Sequence, residues 1–178
     1  FAAGTIEAIE HDRAVDRAQG EITVPVRWRF DETTTEASNT TVAVWREGVL
    51  VARAAYEGQE MDLLRLVHGT WPGDRLPRTH VHTLALDSLS VDHFEARVGT
   101  EIVIEGEERA PRASIRGIVY APDVLSPAWG GTATFYASPK TVVQLTDHPS
   151  SEYFNRLQIR LESFSPTSAE STAQRVED

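Results

Sequence analysis

The sequence predicts an all-β fold: a jelly-roll-like β-sandwich or barrel of about eight to ten strands with at most one short helix. Short alternating apolar stretches fill most of the 178 residues, and turn-forming residues recur roughly every ten positions. Hydrophobic residues make up 40% of the chain, which suits one globular domain. We therefore predict a single domain over residues 1–164 and a polar C-terminal surface tail over residues 165–178.

The clearest strand lies around residue 26. Val24, Val26, Trp28 and Phe30 alternate with other residues, and this period of two is typical of a strand with one buried face. Pro25 lacks the N–H that a central strand donates, so it indicates a sheet edge or a bulge.

Turn residues and spacing predict the elements that follow. Residues 41–56 are expected to form a β-hairpin that turns at Glu47-Gly48. The apolar residues of 61–67 recur at helical spacing and predict the one short helix. Gly and Pro interrupt residues 69–78, which indicates an irregular loop.

Strands fill most of the remaining chain. They are predicted at residues 79–87, 90–98, 101–106, 112–121, 132–137, 140–145 and 156–162. A second Pro- and Gly-rich loop covers residues 122–131.

Composition excludes several classes of function. The formal net charge is −10, so nucleic acid and anionic membranes are disfavoured partners. Cysteine is absent, which excludes disulfides, thiolate catalysis and Cys-ligated zinc. No run of about 18 apolar residues predicts a membrane-spanning helix. The sequence starts at Phe1 instead of Met, which indicates a processed or trimmed chain.

Lysine is almost missing, since 16 of the 17 basic residues are Arg and only Lys140 is Lys. An acidic protein with so little Lys is typical of a halophile, where net charge keeps proteins soluble in high salt. A GC-rich genome of another kind explains the same composition, so both interpretations stay open.

A histidine pair is the sharpest local motif. His80 and His82 lie two residues apart on a predicted strand, so both imidazoles point to the same face. They could bind one metal ion with Asp87 or His93 as the third ligand. The alternative is that both histidines simply face solvent, and we therefore assign no metal ion or other cofactor.

Gly73, His80, His82 and Asp87 together resemble the first motif of the cupin family, metal-binding jelly-roll barrels with a G…HxH…E pattern. Asp stands where the family has Glu, and the second cupin motif is absent, with His148 as a loose substitute. The resemblance implies a metalloenzyme that uses His80 and His82.

The four tryptophans divide by position. Trp28 and Trp45 occupy core-facing strand positions, whereas Trp71 and Trp129 lie in the Pro- and Gly-rich loops. An indole in such a loop suits sugar stacking, the plugging of a barrel end, or the centre of a protein interface. We predict that Trp71 and Trp129 belong to an interface between copies of the chain.

Two further motifs concern cations and modification. Glu101, Glu105, Glu107 and Glu108 could bind a hard cation such as calcium, but they lack the order of a dedicated loop and are interpreted as a solvated acidic turn. Asn39 begins an N-x-T triplet, which is a glycosylation candidate in an extracellular protein.

No catalytic motif supports an enzyme. The sequence has no G-x-S-x-G, no G-x-G-x-x-G and no P-loop. We therefore predict a non-enzymatic structural subunit that self-assembles through its loops and termini.

The strand layout, length and charge of residues 1–164 resemble the small single jelly-roll major capsid proteins of membrane-containing haloarchaeal viruses. That resemblance implies a virion protein of a halophilic host, whose partners are copies of itself and a second related capsid subunit. The alternative is a secreted or surface β-sandwich that binds carbohydrate or forms a filament. The opening F-A-A-G-T-I-E resembles the mature N-terminus of TasA-like matrix fibre proteins.

Overall fold

The structure is a computed structural model and describes residues 1–31, 44–59, 61, 63–73, 81–106 and 110–177. Its helices are α1 (Ala3–Glu10), α2 (Ser88–Phe94), α3 (Pro127–Gly130), α4 (Pro139–Leu145) and α5 (Pro166–Glu177). Its strands are β1 (Val15–Phe30), β2 (Arg46–Arg53), β3 (Arg65–Gly69), β4 (His82–Asp87), β5 (Glu101–Ile104), β6 (Arg112–Tyr120), β7 (Ala133–Ala137) and β8 (Arg156–Leu161).

The strands of the described residues belong to one mixed sheet in the order β2-β7-β4-β6-β5-β1-β8. β1 also pairs with β2, from Glu21↔Arg53 to Trp28↔Arg46, so six of the strands form a closed ring. β8 extends outward from the first half of β1, and β3 from the second half of β6. The ring therefore carries two projecting strands beside its core.

The predicted all-β jelly roll is wrong. Jelly rolls are antiparallel, whereas β2–β7 and β4–β6 are parallel pairs. Parallel neighbours need crossover connections, which commonly contain helices. The described residues form five helices where at most one was expected, and none of these five is long and apolar enough to cross a bilayer.

Two predicted strands are helices, and their N-caps explain the difference. The Asp87 carboxylate accepts a hydrogen bond from an N–H of the first turn of α2, and α2 overlaps the first five residues of the predicted strand 90–98. Ser138 caps α4 in the same way, with Pro139 in its first turn, and α4 covers the whole predicted strand 140–145. Asp, Ser and Pro at these positions favour helix starts over the strand preference of the valines that follow.

The helix predicted at 61–67 is also wrong, because its second half belongs to β3. β3 pairs with β6 through a register shift between Leu66 and His68. Leu66 packs against a buried cluster on the outside of the ring, whereas Val67 is 54% exposed. Over so short a stretch, a helix and a strand with a bulge give the same spacing of apolar residues.

The turn predicted at Glu47-Gly48 lies inside β2 instead. Gly48 pairs with Val26 of β1, so the hairpin connects β1 to β2 and does not lie within 41–56. A Cβ atom on Gly48 would lie 2.9 Å from Cδ1 of Trp28. Glycine is therefore present to make room for the indole, not to form a turn.

The interior of the ring is the main core, and every ring strand contributes to it. The largest buried apolar side chains that the ring strands contribute are Ile22, Trp28, Leu50, Leu84, Leu86, Ile102, Ile104, Ile115 and Phe135. Trp28 is 1% exposed and meets three phenylalanine rings edge to face at centroid distances of 5.2–5.3 Å. Trp45, also predicted for the core, is only partly buried, with the guanidinium of Arg29 5.4 Å from its ring centroid.

Pro25 lies where β1 has a neighbour on one side only. Neither β8 nor β5 reaches it, whereas β2 does. The side chain of Asn155 bonds both the N–H and the carbonyl of Thr23 on the open side, and the Glu105 N–H bonds the carbonyl of Arg27. Backbone groups of successive strand residues point to opposite edges, so the nitrogen of Pro25 points to the same open side as the groups of Thr23. No neighbouring strand lies there, and the missing N–H therefore leaves no carbonyl unpaired.

The segment predicted as a polar tail, residues 165–178, contains α5. Among its described side chains, Thr172 is buried and the others are exposed or partly exposed. Ser165 bonds the N–H of Ser168 in the first turn, as an N-terminal serine does at many helix starts.

Candidate functional site

The structure does not bring together those predicted metal ligands that it describes, His82, Asp87 and His93. His82 begins β4 and Asp87 ends it, so they are separated by roughly 16 Å of strand. His93 lies on α2 with its ring edge-on to Phe94, and His80 lies outside the described residues. Within the ranges that the structure describes, no three His, Cys, Asp or Glu side chains are grouped to hold a metal ion.

Asp87 has a structural position instead. It is fully buried, and its Oδ2 accepts the N–H of Leu89 at 2.9 Å. Its Oδ1 has no hydrogen-bond partner among the described residues. Burial raises the pKa of Asp87 to about 6, because a medium of low polarity disfavours the charged carboxylate.

We expect Asp87→Asn to flatten the pH dependence of stability. A raised native pKa contributes stability that is complete below the unfolded pKa of about 4 and is lost as pH rises through about 6. Asn keeps the capping oxygen but cannot ionise, so the variant should gain on the order of 2 kcal/mol over the wild type between pH 4 and pH 7. Urea unfolding across that range measures the gain.

Asp92→Asn is the matched control, because Asp92 lies exposed on the same helix. It should leave the profile unchanged. A profile of Asp87→Asn parallel to that of the wild type would show that Asp87 is ionised at no cost in the folded protein.

An aromatic group covers the outside of the ring. Tyr56 stacks on Trp71 with centroids 5.5 Å apart and planes 14° apart, and Tyr136 meets Tyr56 edge-on. The Tyr56 hydroxyl donates to the carbonyl of Ala137 at 2.7 Å. Burial raises the pKa of Tyr56 and of Tyr136, so both hydroxyls stay protonated and act as packing groups with a polar end.

Trp129 has the opposite environment. It is 88% exposed on α3, beside Leu125, which is 82% exposed. We call these two residues the apolar tip. The two residues are four positions apart in the sequence, and exposed large apolar side chains are typical of contact surfaces. The structure thus places Trp71 in a packed cluster and Trp129 in solvent, and an interface at Trp129 stays a prediction.

The two tryptophans should therefore respond differently to truncation. Trp71→Ala removes a stacked ring and should cost about 2–4 kcal/mol of unfolding free energy. Trp129→Ala should change it by less than about 0.5 kcal/mol. Chemical denaturation of both variants measures the difference, and equal losses would contradict the packing role assigned to Trp71.

The acidic residues of the predicted turn are not shown as one cluster. Glu105 accepts two hydrogen bonds from an arginine of β1 at 3.0 and 3.2 Å, and Glu101 begins β5. Glu107, Glu108 and the glycosylation candidate Asn39 lie outside the described residues. The calcium and glycosylation hypotheses remain predictions.

A buried ion pair is the polar feature that sequence reasoning missed. Glu21 and Arg53 face each other across β1 and β2, with side chains 1% and 3% exposed and Nε 2.9 Å from Oε2. Arg156 of β8 contacts the other carboxylate oxygen at 3.1 Å. Charged residues of these types are rarely buried. The one available signal was that Arg53 stands between apolar residues on both sides.

Comparison with known proteins shows similarity in structure but not in sequence. No family model and no curated protein sequence matches the chain. The periplasmic region of MacB from Actinobacillus actinomycetemcomitans is similar with a TM-score of 0.56 and 10% identity, covering 99% of this chain and 73% of that one. The extracellular domain of the noncanonic ABC-type transporter YknZ from Gram-positive bacteria gives 0.59 and 11%, covering 97% and 78%.

A domain of a putative permease protein from Porphyromonas gingivalis gives a TM-score of 0.54 and 13% identity, covering 99% of this chain and 76% of that one. At such identities the similarity establishes the fold alone. The chain therefore shares its fold with the periplasmic region of MacB and the extracellular domain of YknZ. The capsid function predicted from sequence, with its virion location, is wrong, because these three similar structures are transporter and permease domains and not capsid proteins.

Proposed function

We propose that this chain is an extracytoplasmic domain of an ABC-type transporter permease. The observation that carries the proposal is the extent of the structural match, which covers 97–99% of this chain in all three comparisons. In this function the chain is not an enzyme. It is a binding and coupling domain that works with the membrane-embedded part of the transporter.

The apolar tip is the part of the surface that we expect to contact other extracytoplasmic proteins, because Trp129 and Leu125 are both more than 80% exposed.

Cysteine labelling tests the location. The chain contains no cysteine, so Leu125→Cys in the protein as its gene encodes it introduces one exposed thiol. In intact cells, or in spheroplasts if an outer membrane is present, a membrane-impermeant maleimide should label this variant before lysis. The parent protein, with any cysteine outside this chain replaced by Ser, should stay unlabelled there. So should the variant Ala85→Cys, at a fully buried position, on the same background.

Labelling of Leu125→Cys only after lysis would contradict the proposal, because the domain would then lie in the cytoplasm. Labelling of Ala85→Cys in intact cells would show that the protein is unfolded. The assay would then be repeated with Trp129→Cys at a lower expression temperature, at which Ala85→Cys is not labelled.

A further inference from the structure

The first half of β1 has a strand partner on one edge only. β8 pairs with residues 15–21 of β1, whereas the ladder with β2 ends at Glu21↔Arg53. After Arg53 the chain turns away from β1. Among the described residues, the edge of β1 from Val15 to Gly20 on the β2 side therefore has no neighbouring strand.

The alternating direction of the N–H and C=O groups along β1 shows which of them point to this open edge. Thr23 directs both its N–H and its carbonyl to the β8 side, where the Asn155 side chain bonds them. Successive residues of a strand point their N–H and C=O groups to opposite edges. Ala18 and Gly20 therefore direct theirs to the open edge.

A carboxylate already accepts a hydrogen bond from one of these backbone groups. Oε1 of Glu10, in the last turn of α1, accepts the N–H of Ala18 at 3.3 Å. A peptide carbonyl from an added strand would accept the same N–H. The Glu10 carboxylate thus accepts the hydrogen bond that the carbonyl of a neighbouring strand would otherwise accept.

The open edge faces a cleft of about 500 Å³ between α1 and the chain after β2. Residues with small side chains line much of it, namely Ala3, Ala18, Gly20, Ala54, Ala55 and Gly58. Ile6 and Phe154 form its apolar wall, and both crowd Gly20 so closely that a Cβ atom there would lie 2.4 and 2.5 Å from them. Larger side chains, among them Arg17, Gln19 and Met61, line the rest of the cleft. The two residues that face the open edge, Ala18 and Gly20, have little or no side chain, which suits the close approach of a peptide main chain.

We infer that this cleft binds an extended peptide segment of a partner protein, which adds as a strand to the first half of β1. Main-chain hydrogen bonds to Ala18 and Gly20 supply affinity, as in other cases of strand addition. Alternate side chains of the peptide lie against Ile6 and Phe154 and favour apolar residues. The segment displaces the Glu10 carboxylate when it binds.

The test uses a fluorescein-labelled peptide of about seven alternating Thr and Val residues. Fluorescence anisotropy should show saturable binding to the whole chain. Methylating the alternate peptide nitrogens that face β1 should weaken binding at least about tenfold, because each methyl group removes a donor. In NMR spectra, the amides of Ala18 and Gly20 should gain protection from exchange on binding, and that of Thr23 should not.

Glu10→Ala should tighten peptide binding about three- to tenfold, because it removes the competing acceptor. Glu7→Ala is the matched control on the exposed side of α1 and should leave binding unchanged. The inference is overturned if the peptide does not bind, if the methylated peptide binds equally, or if both variants behave alike. Protection of Ala18 and Gly20 that rises with protein concentration alone would also overturn it, by assigning the edge to a second copy.

Discussion

Replacing Glu21 by Gln should destabilise the protein by about 3 kcal/mol, the cost expected when one partner of a buried ion pair is removed. Arg53 is 3% exposed and directs its Nε at the Glu21 carboxylate. The amide of Gln offers one neutral oxygen in place of two charged ones, so the buried guanidinium loses its counter-charge. Arg156 loses the same partner, but it is half exposed and solvent replaces the carboxylate.

Glu105→Gln is the control for this experiment. Glu105 pairs with Arg27 at 3.0 Å, but the two side chains are 42% and 48% exposed. Exposed pairs of this kind contribute about 0–1 kcal/mol. Urea unfolding of both variants at neutral pH gives the comparison. Equal small losses of unfolding free energy would show that Glu21 does not stabilise the buried charge of Arg53.

Gly117→Ala should also destabilise the fold strongly, by about 3 kcal/mol. A Cβ atom on Gly117 would lie 2.2 Å from the carbonyl oxygen of Thr70. Its partner across β3 and β6 is Gly69, which has a φ of 81° and equally little room beside the carbonyl of Arg116. Two backbones meet here, so no flexible side chain can move to admit a methyl group.

Thermal unfolding measures this loss, which corresponds to a fall in Tm of roughly 10 °C for a chain of this length. Gly4→Ala is the control. Gly4 lies in α1 with nothing within 4 Å of an added Cβ, so alanine should stabilise the helix by about 0.5–1 kcal/mol. A Gly117→Ala variant as stable as the wild type would contradict the close approach of β3 to β6.

Strands with one buried face could be predicted from sequence, and the rest of the fold could not. The alternation through Trp28 located part of β1, and the gap beside Pro25 is the edge that its missing N–H indicates. Helices α2 and α4 have only seven residues each, which is too short for helical periodicity to be recognised. Their caps at Asp87 and Ser138 were the stronger local signal.

The parallel pairs could not be predicted, because pairing partners are not encoded in local periodicity. The jelly-roll prediction depended on counting strands, and a count does not distinguish an antiparallel sandwich from a mixed sheet. The polar site was missed for a related reason. Glu21 and Arg53 are far apart in sequence, and only the register of β1 against β2 places them opposite each other.

Trp71 and Trp129 show where local composition misleads. Both lie in Pro- and Gly-rich loops and were assigned to the same interface. Packing separates them, because Trp71 stacks on Tyr56 whereas Trp129 is 88% exposed. Exposure depends on what the loop folds against, and the loop sequence does not state it.

Purification of the native protein from membranes tests the transporter assignment most directly. The protein that contains this domain should be extracted only with detergent and should copurify with ATP hydrolysis. Substitution of the phosphate-binding lysine in the associated nucleotide-binding subunit or domain should abolish that hydrolysis. A protein that is released without detergent, or that purifies from membranes with no nucleotide-binding subunit or domain, would contradict the assignment.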